Sequence, residues 1–215
     1  MAMKLDMSKA YNRVEWTFLE RIMLKMGFHE KWVGMVMATV KIVSYSILVN
    51  GEPRGNIQPT RGIRQRDPLS PYLFLLCSER INGLLQKAVN VGDIRGFSLC
   101  KYGPQIAHLF FADDSLIFCR AKMGDVQAVQ NILALYELAS GQKVNSKKTN
   151  LFFGKSVSDA TKNALKYFLG VPEIKEYEKY LGLLAVVGRK KKESLVYIKE
   201  WIWGKLQGWK EKLLF

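Results

Sequence analysis

Residues 105–119, QIAHLFFADDSLIFC, set two adjacent acids, Asp113 and Asp114, between two apolar runs rich in β-branched and aromatic side chains. Such runs form strands. The three residues between them, Ala112, Asp113 and Asp114, predict a hairpin with the acids at its tip. Asp in a turn is ordinarily solvated, because its carboxylate bonds the neighbouring backbone. Three features oppose that reading here. The flanks are strongly apolar, a two-residue hairpin turn prefers Gly or Asn, and MAMKLDM is a short apolar strand that ends on a third acid, Asp6. If the Asp6 strand lies beside the 108–119 hairpin, the carboxylates converge on one sheet edge.

Composition bounds the partners. The chain of 215 residues is 48% hydrophobic, enough for a real core in one domain, alone or with a small appendage. A formal net charge of +14 points to a polyanionic partner, either nucleic acid or an anionic membrane surface. No apolar run approaches the roughly 18–20 residues of a spanning helix. The opening MAMKLDMSKAY lacks the apolar core of a signal peptide, so a soluble, intracellular protein is expected. Cys77, Cys100 and Cys119 form no C-x-x-C pair, and His29 lies far from His108. A zinc site is not expected, and the cysteines read as reduced and packed.

Strands and helices alternate along the chain. Asn12 and Glu15 resemble a capping box ahead of a helix that runs to Gly27. A second helix is predicted over about 30–41. VSYSILVNGEPRGNIQP carries Asn50-Gly51 and predicts a hairpin. Asp67 and Pro68 read as the N-cap and first turn of a long helix, with Ser70-Pro71 inside that turn. GDVQAVQNILALYELASG is a helix closed by Gly141, TNLFFG a strand, SDATKNALKYFLG a helix and KEYEKYLGLLAVVG a strand pair or a strand with a turn. A basic helix is expected from Lys190. This order predicts an α+β fold, an antiparallel or mixed sheet with helices on one face. The opening strand begins so abruptly that upstream structure is expected to be missing.

A cluster of Asp6, Asp113 and Asp114 would repel itself at neutral pH unless a cation held it. All-oxygen ligands suit a hard divalent ion, magnesium in particular. Two such ions can serve in-line phosphoryl transfer, so the acids point to nucleotidyl chemistry in a chain charged to bind nucleic acid.

KLDMSKAYNRVEW, GIRQRDPLSPYLF, FADDSLIF, ASGQKVNSKKT and YLGLLAVVGRKKK follow one another in the order and rough spacing of the reverse transcriptases of plant LINE-type non-LTR retrotransposons, which the chain resembles over essentially its whole length. The resemblance implies a polymerase palm over residues 1–188 and, over 189–215, a basic helix leading toward a helical thumb. It implies RNA-directed DNA synthesis on an RNA template and DNA primer, with deoxynucleoside triphosphates and Mg2+ or Mn2+. Asp6 and Asp113 would hold metal, with Asp114 beside them and the Met7 carbonyl as a further ligand. Tyr11 would be the steric gate against a ribose 2′-hydroxyl. Gln65, Arg66, Ser70 and Pro71 would face template and incoming nucleotide, Lys148 the triphosphate, and Tyr180, Leu181 and Gly182 the primer. Each has a plainer reading beside it: Tyr11 as a core aromatic, 65–71 as helix-start chemistry, Lys148 as a solvated lysine and 180–182 as a strand end. The resemblance also implies work at chromosomal DNA, hence in the nucleus, and no membrane.

Departures from that pattern matter. Arg66 stands where similar enzymes carry Gly, and it would cost about 1–2 kcal/mol if the backbone there must be left-handed. Asn12 replaces Asp, and Leu184 replaces Pro. Most of the fingers would precede Asp6, and the thumb would continue past Phe215. Without them processive synthesis is not expected of this chain alone. The competing expectation is a catalytically silent, nucleic-acid-binding remnant of a transposon.

Overall fold

The structure, a computed structural model, describes residues 1–98, 100, 103–111, 114–171, 179–180, 183–184, 196, 199–200, 202–204 and 206. The chain divides into two compact units, Met1–Glu173 and Ile174–Phe215.

The first unit is built on a four-stranded antiparallel sheet. Its strands are β1 (Ala2–Asp6), β6 (His108–Phe111), β7 (Asp114–Phe118) and β8 (Asn150–Phe152), in the order β6-β7-β1-β8. Every pairing is antiparallel, so the sheet is not mixed. β1 alternates as a two-faced strand must: Met3 and Leu5 are buried while Ala2, Lys4 and Asp6 are half-exposed. Ile117 of β7 and Leu151 of β8 share the buried face. The core continues from them into α1 (Trp16–Lys25), α2 (Glu30–Lys41), α3 (Ser70–Asn90), α4 (Met123–Ser140) and α5 (Asp159–Leu169) through Leu19, Met23, Val33, Leu73, Val129 and Leu165. The opposite face carries Lys4, Asp6, Asp114 and Leu116, none of them buried.

A separate ribbon, β2 (Tyr45–Val49) with β3 (Glu52–Ile57), turns at Asn50-Gly51 as expected, with φ of 53° and 84°. Positive φ at both positions is the requirement that Asn-Gly meets. β4 (Phe97–Ser98) pairs with β5 (Gln105–Ile106). In the second unit β9 (Lys179–Tyr180) pairs with β10 (Leu183–Leu184), the first of the two arrangements the sequence left open. The basic tail from Lys190 falls mostly outside the described residues.

Two helix starts differ from expectation. Asn12 and Glu15 make no capping box: a short 3₁₀ turn covers Tyr11–Arg13 and α1 begins at Trp16. Tertiary partners have taken both side chains, since Asn12 accepts from Gln65 Nε2 at 3.4 Å and Glu15 pairs with Arg61 at 3.3 Å. Asp67 does not cap α3. Its carboxylate accepts from the Leu69 amide at 2.8 Å, a turn bond that precedes the helix, and Ser70-Pro71 opens it.

α4 is tethered at both ends by buried polar groups. Near its start Asp125, 3% exposed, accepts from the Arg95 amide at 3.1 Å and pairs with Arg120 at 2.9 Å. Burial alone would push this carboxyl up, but the bonds from Arg120 and the Arg95 amide outweigh it and hold it below the ordinary value. At the other end the fully buried Gln142 accepts from the Tyr136 hydroxyl and donates to the Ala10 carbonyl at 3.1 Å. Gly141, with φ of 74°, lies against residues 13–15: a Cβ there would meet the Arg13 carbonyl oxygen at 2.7 Å and Glu15 Cγ at 2.6 Å.

None of the three cysteines forms a disulfide; Cys77 and Cys119 are packed as expected, but Cys100 is exposed. Burial pushes the thiol of Cys77 up to about 12 and that of Cys119 up to about 11. Among the described residues no helix is long and apolar enough to cross a membrane.

These contacts give two expected outcomes. Gly141→Ala should destabilise the chain by about 1–3 kcal/mol in urea unfolding, since the new methyl meets main chain in a backbone region closed to most residues. Asp125→Asn should cost about 1–3 kcal/mol at neutral pH. Because the folded carboxyl titrates below its unfolded value, its contribution is full above roughly pH 4 and fades as pH falls through the lowered value. The gap between wild type and variant should therefore close on acidification.

Candidate active site

The antiparallel register of β1 and β7 sets Asp6 directly opposite Asp114. Side chains of paired residues share a face, with Cβ atoms about 4.5–5.5 Å apart. Asp114 is also paired with Phe111, so 112–113 are the two residues that join β6 to β7. The expected hairpin and its place beside the Asp6 strand are both present. Asp113 itself, with Ala112, lies outside the described residues. Two like charges directly opposite destabilise a sheet. Yet both acids stand at strand ends on the half-exposed face, where a counter-ion can reach them.

Beyond Asp6 the strand keeps a partner. The Ser8 amide donates to the Lys143 carbonyl at 2.8 Å, Met7 bridges to Val144, and the Asn145 amide donates to the Asp6 carbonyl at 2.8 Å. The Asn145 side chain donates from Nδ2 to Asp6 Oδ2 at 3.2 Å. Its carbonyl accepts from the amides of Lys148 and Thr149 at 3.0 and 2.8 Å. Lys148 is thus fastened by its backbone while its side chain is exposed, as is that of Lys147. Asn145 was not among the residues singled out from the sequence. It belongs to the quoted GQKVNSKK segment, but nothing local tells an asparagine that bonds a strand 139 positions away from one that caps a turn.

A second group gathers around the 3₁₀ turn. Tyr11 stacks on Phe74 of α3, ring centroids 4.9 Å apart at 14°. The Ile63 amide donates to the Tyr11 carbonyl at 2.9 Å, the Gly62 amide to Val14 at 2.7 Å, and Trp16 Nε1 to the Gly62 carbonyl at 2.7 Å. Gly62, at φ 89°, is pressed so close that a Cβ would meet the Asn12 carbonyl oxygen at 2.8 Å. These bonds hold residues 61–65 on the loop after β1 and leave a cavity of about 390 Å³ lined by Asn12, Tyr45, Arg61, Arg64 and Gln65 among others. Arg66, exposed, has φ of 67°, the left-handed backbone for which glycine is suited. Ser70 is buried at the first position of α3 and Pro71 is exposed behind it.

The structure thus brings Asp6, Met7, Asp114 and Lys148 to one end of β1, places Tyr11 on the loop that follows that strand, and holds Gln65, from the segment between β3 and α3, against that loop through Asn12. Tyr180 lies on β9 of the second unit, and Leu181 and Gly182 lie outside the described residues. Among the described residues no group of three His, Cys, Asp or Glu side chains could hold a metal ion. The described pair supplies only oxygen donors, a set that fits a hard cation rather than zinc.

Comparison with known proteins bears on the family and the fold. A protein of Arabidopsis thaliana described as an uncharacterized mitochondrial protein is 37% identical over 110 residues, 49% of this chain and 86% of that one. The Pol polyprotein of the type-2 retrotransposable element R2DM of Drosophila melanogaster is 27% identical over 83% of this chain and 17% of its own length. A transposon TX1 protein of Xenopus laevis is 24% identical over 97% of this chain and 15% of its own length. The chain therefore spans less than a fifth of these two transposon proteins. Among solved structures, telomerase from Candida albicans in complex with a fragment of telomeric RNA matches at a TM-score of 0.53, with 15% identity, over 74% of this chain and 27% of that one. Apo telomerase from Candida tropicalis matches at 0.52, over 74% of this chain and 31% of that one. Those two likenesses bear on the fold, a palm-like layer of antiparallel sheet and helices. The reverse transcriptase (RNA-dependent DNA polymerase) family model matches residues 1–184, and the chain belongs to that family.

Proposed function

We propose that this chain is the palm of an RNA-directed DNA polymerase from a non-LTR retrotransposon, extending a DNA primer on an RNA template. The observation that carries the reading is the cross-strand pair Asp6 and Asp114 at the end of β1, with Asp113 adjacent to Asp114 in sequence. Asp6, Asp113 and Asp114, with the Met7 carbonyl, would hold Mg2+, or Mn2+ in its place. The ions would lower the barrier to attack by the primer 3′-hydroxyl and stabilise departing pyrophosphate. Tyr11, braced by its stack on Phe74, is in this reading the ring that excludes a ribose 2′-hydroxyl. Gln65, Arg66, Ser70 and Pro71 border template and incoming nucleotide, and the cavity beside Arg61 and Arg64 suits phosphate. Lys148 neutralises charge on the triphosphate or gives a proton to pyrophosphate. Tyr180, Leu181 and Gly182 support the primer end. The palm extends in this reading through residue 188, with 189–215 leading toward a thumb. Such an enzyme works where its polymer partners are, at chromosomal DNA in the nucleus.

A second reading has one observation in its favour. Arg66 occupies left-handed backbone with a long cationic side chain, at cost to stability and at the segment assigned to the nucleotide. A silent remnant that still binds nucleic acid would look like this. It would bind in a strongly salt-dependent way without incorporation.

Single-nucleotide extension of a labelled DNA primer on an RNA template, with Mg2+ or Mn2+, tests the first reading. Wild-type chain should extend, and Asp113→Asn or Asp6→Asn should lower the rate by about 10²–10³-fold, the scale for losing one preorganised electrostatic group. Extension that survives both changes overturns it, whereas salt-sensitive binding without extension favours the silent remnant. Arg66→Gly should raise stability by about 1 kcal/mol, or about 2–4 °C in the unfolding midpoint, as relief of left-handed strain exceeds the added chain entropy. Extension gained by that variant would place the defect at Arg66.

A further inference from the structure

We infer that Asn145 is a positioning residue for cation binding at Asp6, an inference that rests on the proposed role of the acid pair. Two observations meet on this one residue. Its Nδ2 donates to Asp6 Oδ2 at 3.2 Å, and its main chain ties the same aspartate's carbonyl, at 2.8 Å, to the turn that carries Lys148. A carboxylate at a strand end has free rotation about χ1 and χ2, and a cation that binds it must meet the cost of stopping that rotation. The Asn145 amide stops it beforehand, because one oxygen of Asp6 is already engaged and the group has one preferred orientation. Such outer partners are worth about 10–100-fold in metal affinity where they have been removed.

The donor's neutrality is what makes this arrangement suit a cation site. A lysine or arginine in the same place would orient Asp6 equally well, but it would cancel the charge that the cation needs and repel the ion. An amide leaves the negative charge of the Asp6 and Asp114 pair intact. Asn145 also spans two assigned groups. Its carbonyl accepts the amides of Lys148 and Thr149, so the turn that presents Lys148 is measured from Asp6 rather than from solvent. The Asn150 side chain, bonded to the Lys148 carbonyl at 3.1 Å, closes that turn onto β8.

The test is Mn2+ titration of the whole chain, followed by loss of the free-ion electron paramagnetic resonance signal, with the unfolding midpoint measured in EDTA and in Mn2+. Asn145→Ala should weaken Mn2+ binding about 10–100-fold. Asn145→Asp keeps the shape and the main-chain bonds but sets a carboxylate where the donor stood. It should lower the midpoint in EDTA and gain more from added Mn2+ than wild type does. Weaker Mn2+ binding in Asn145→Ala with an unfolding midpoint in EDTA close to that of wild type is not what a purely structural asparagine gives. Wild-type affinity in Asn145→Ala, or an Asn145→Asp chain with a wild-type response to Mn2+, overturns the inference. Asp6→Asn separates the two failures. If that change removes binding while both Asn145 variants bind normally, the acid-pair reading stands and Asn145 is only structural. If wild type binds no Mn2+, or Asp6→Asn binds as wild type does, the acid-pair reading falls and takes this one with it.

Discussion

The site depends on β1 having a hydrogen-bonded partner along both edges. β7 on one side fixes Asp6 against Asp114, and β8 on the other, continued by residues 143–145, fixes it against Asn145. With Met3 and Leu5 buried on the helix side, the pleat permits Asp6 only on the open side. A shift of one residue would drive the carboxylate into the core and bring Leu5 out, a change too costly to be tolerated. The position of the acid is therefore a by-product of hydrophobic burial one and three residues earlier in the strand.

α4 connects the two ends of this sheet. At the end remote from the acids, Asp125 gathers the amides of Arg95 and Arg120 around a charge held ionised by its bonds. At the near end, Tyr136, Ser140, Gly141 and Gln142 lock the helix terminus onto residues 10–15, the loop that leaves Asp6 and carries Tyr11. Polar groups so enclosed are costly unless every partner is in place. The helix thus sets one spacing between the loop after β1 and the far edge of the sheet.

Much of this was legible in local pattern. The Asn50-Gly51 ribbon, the two apolar runs around the acids, and the closure of α4 at Gly141 are decisions taken by neighbouring residues, and local chemistry predicts them. The left-handed backbone at Arg66 was legible for another reason, as an exception to a pattern in which glycine is usual. What stayed hidden was nonlocal. The capping box at Asn12 and Glu15 is a valid local signal that lost to Gln65 and Arg61, some fifty positions away. Gln142, a polar residue just past the end of α4 whose sequence neighbours give no sign of burial, is fully buried because Tyr136 and the Ala10 carbonyl satisfy both ends of its amide. Asn145 gains its importance only once β1 and the 143–149 segment lie side by side.

The burial of two cysteines has a practical corollary. Thiolate, not thiol, is the nucleophile, and the apolar surroundings of Cys77 and Cys119 suppress it at neutral pH. Cys100, exposed between β4 and β5, is left as the reactive sulfur. The wild-type chain therefore comes with a natural attachment point for a fluorophore or spin label, on a strand pair outside the four-stranded sheet. Distances from that handle to a labelled primer would orient bound nucleic acid without any engineered cysteine.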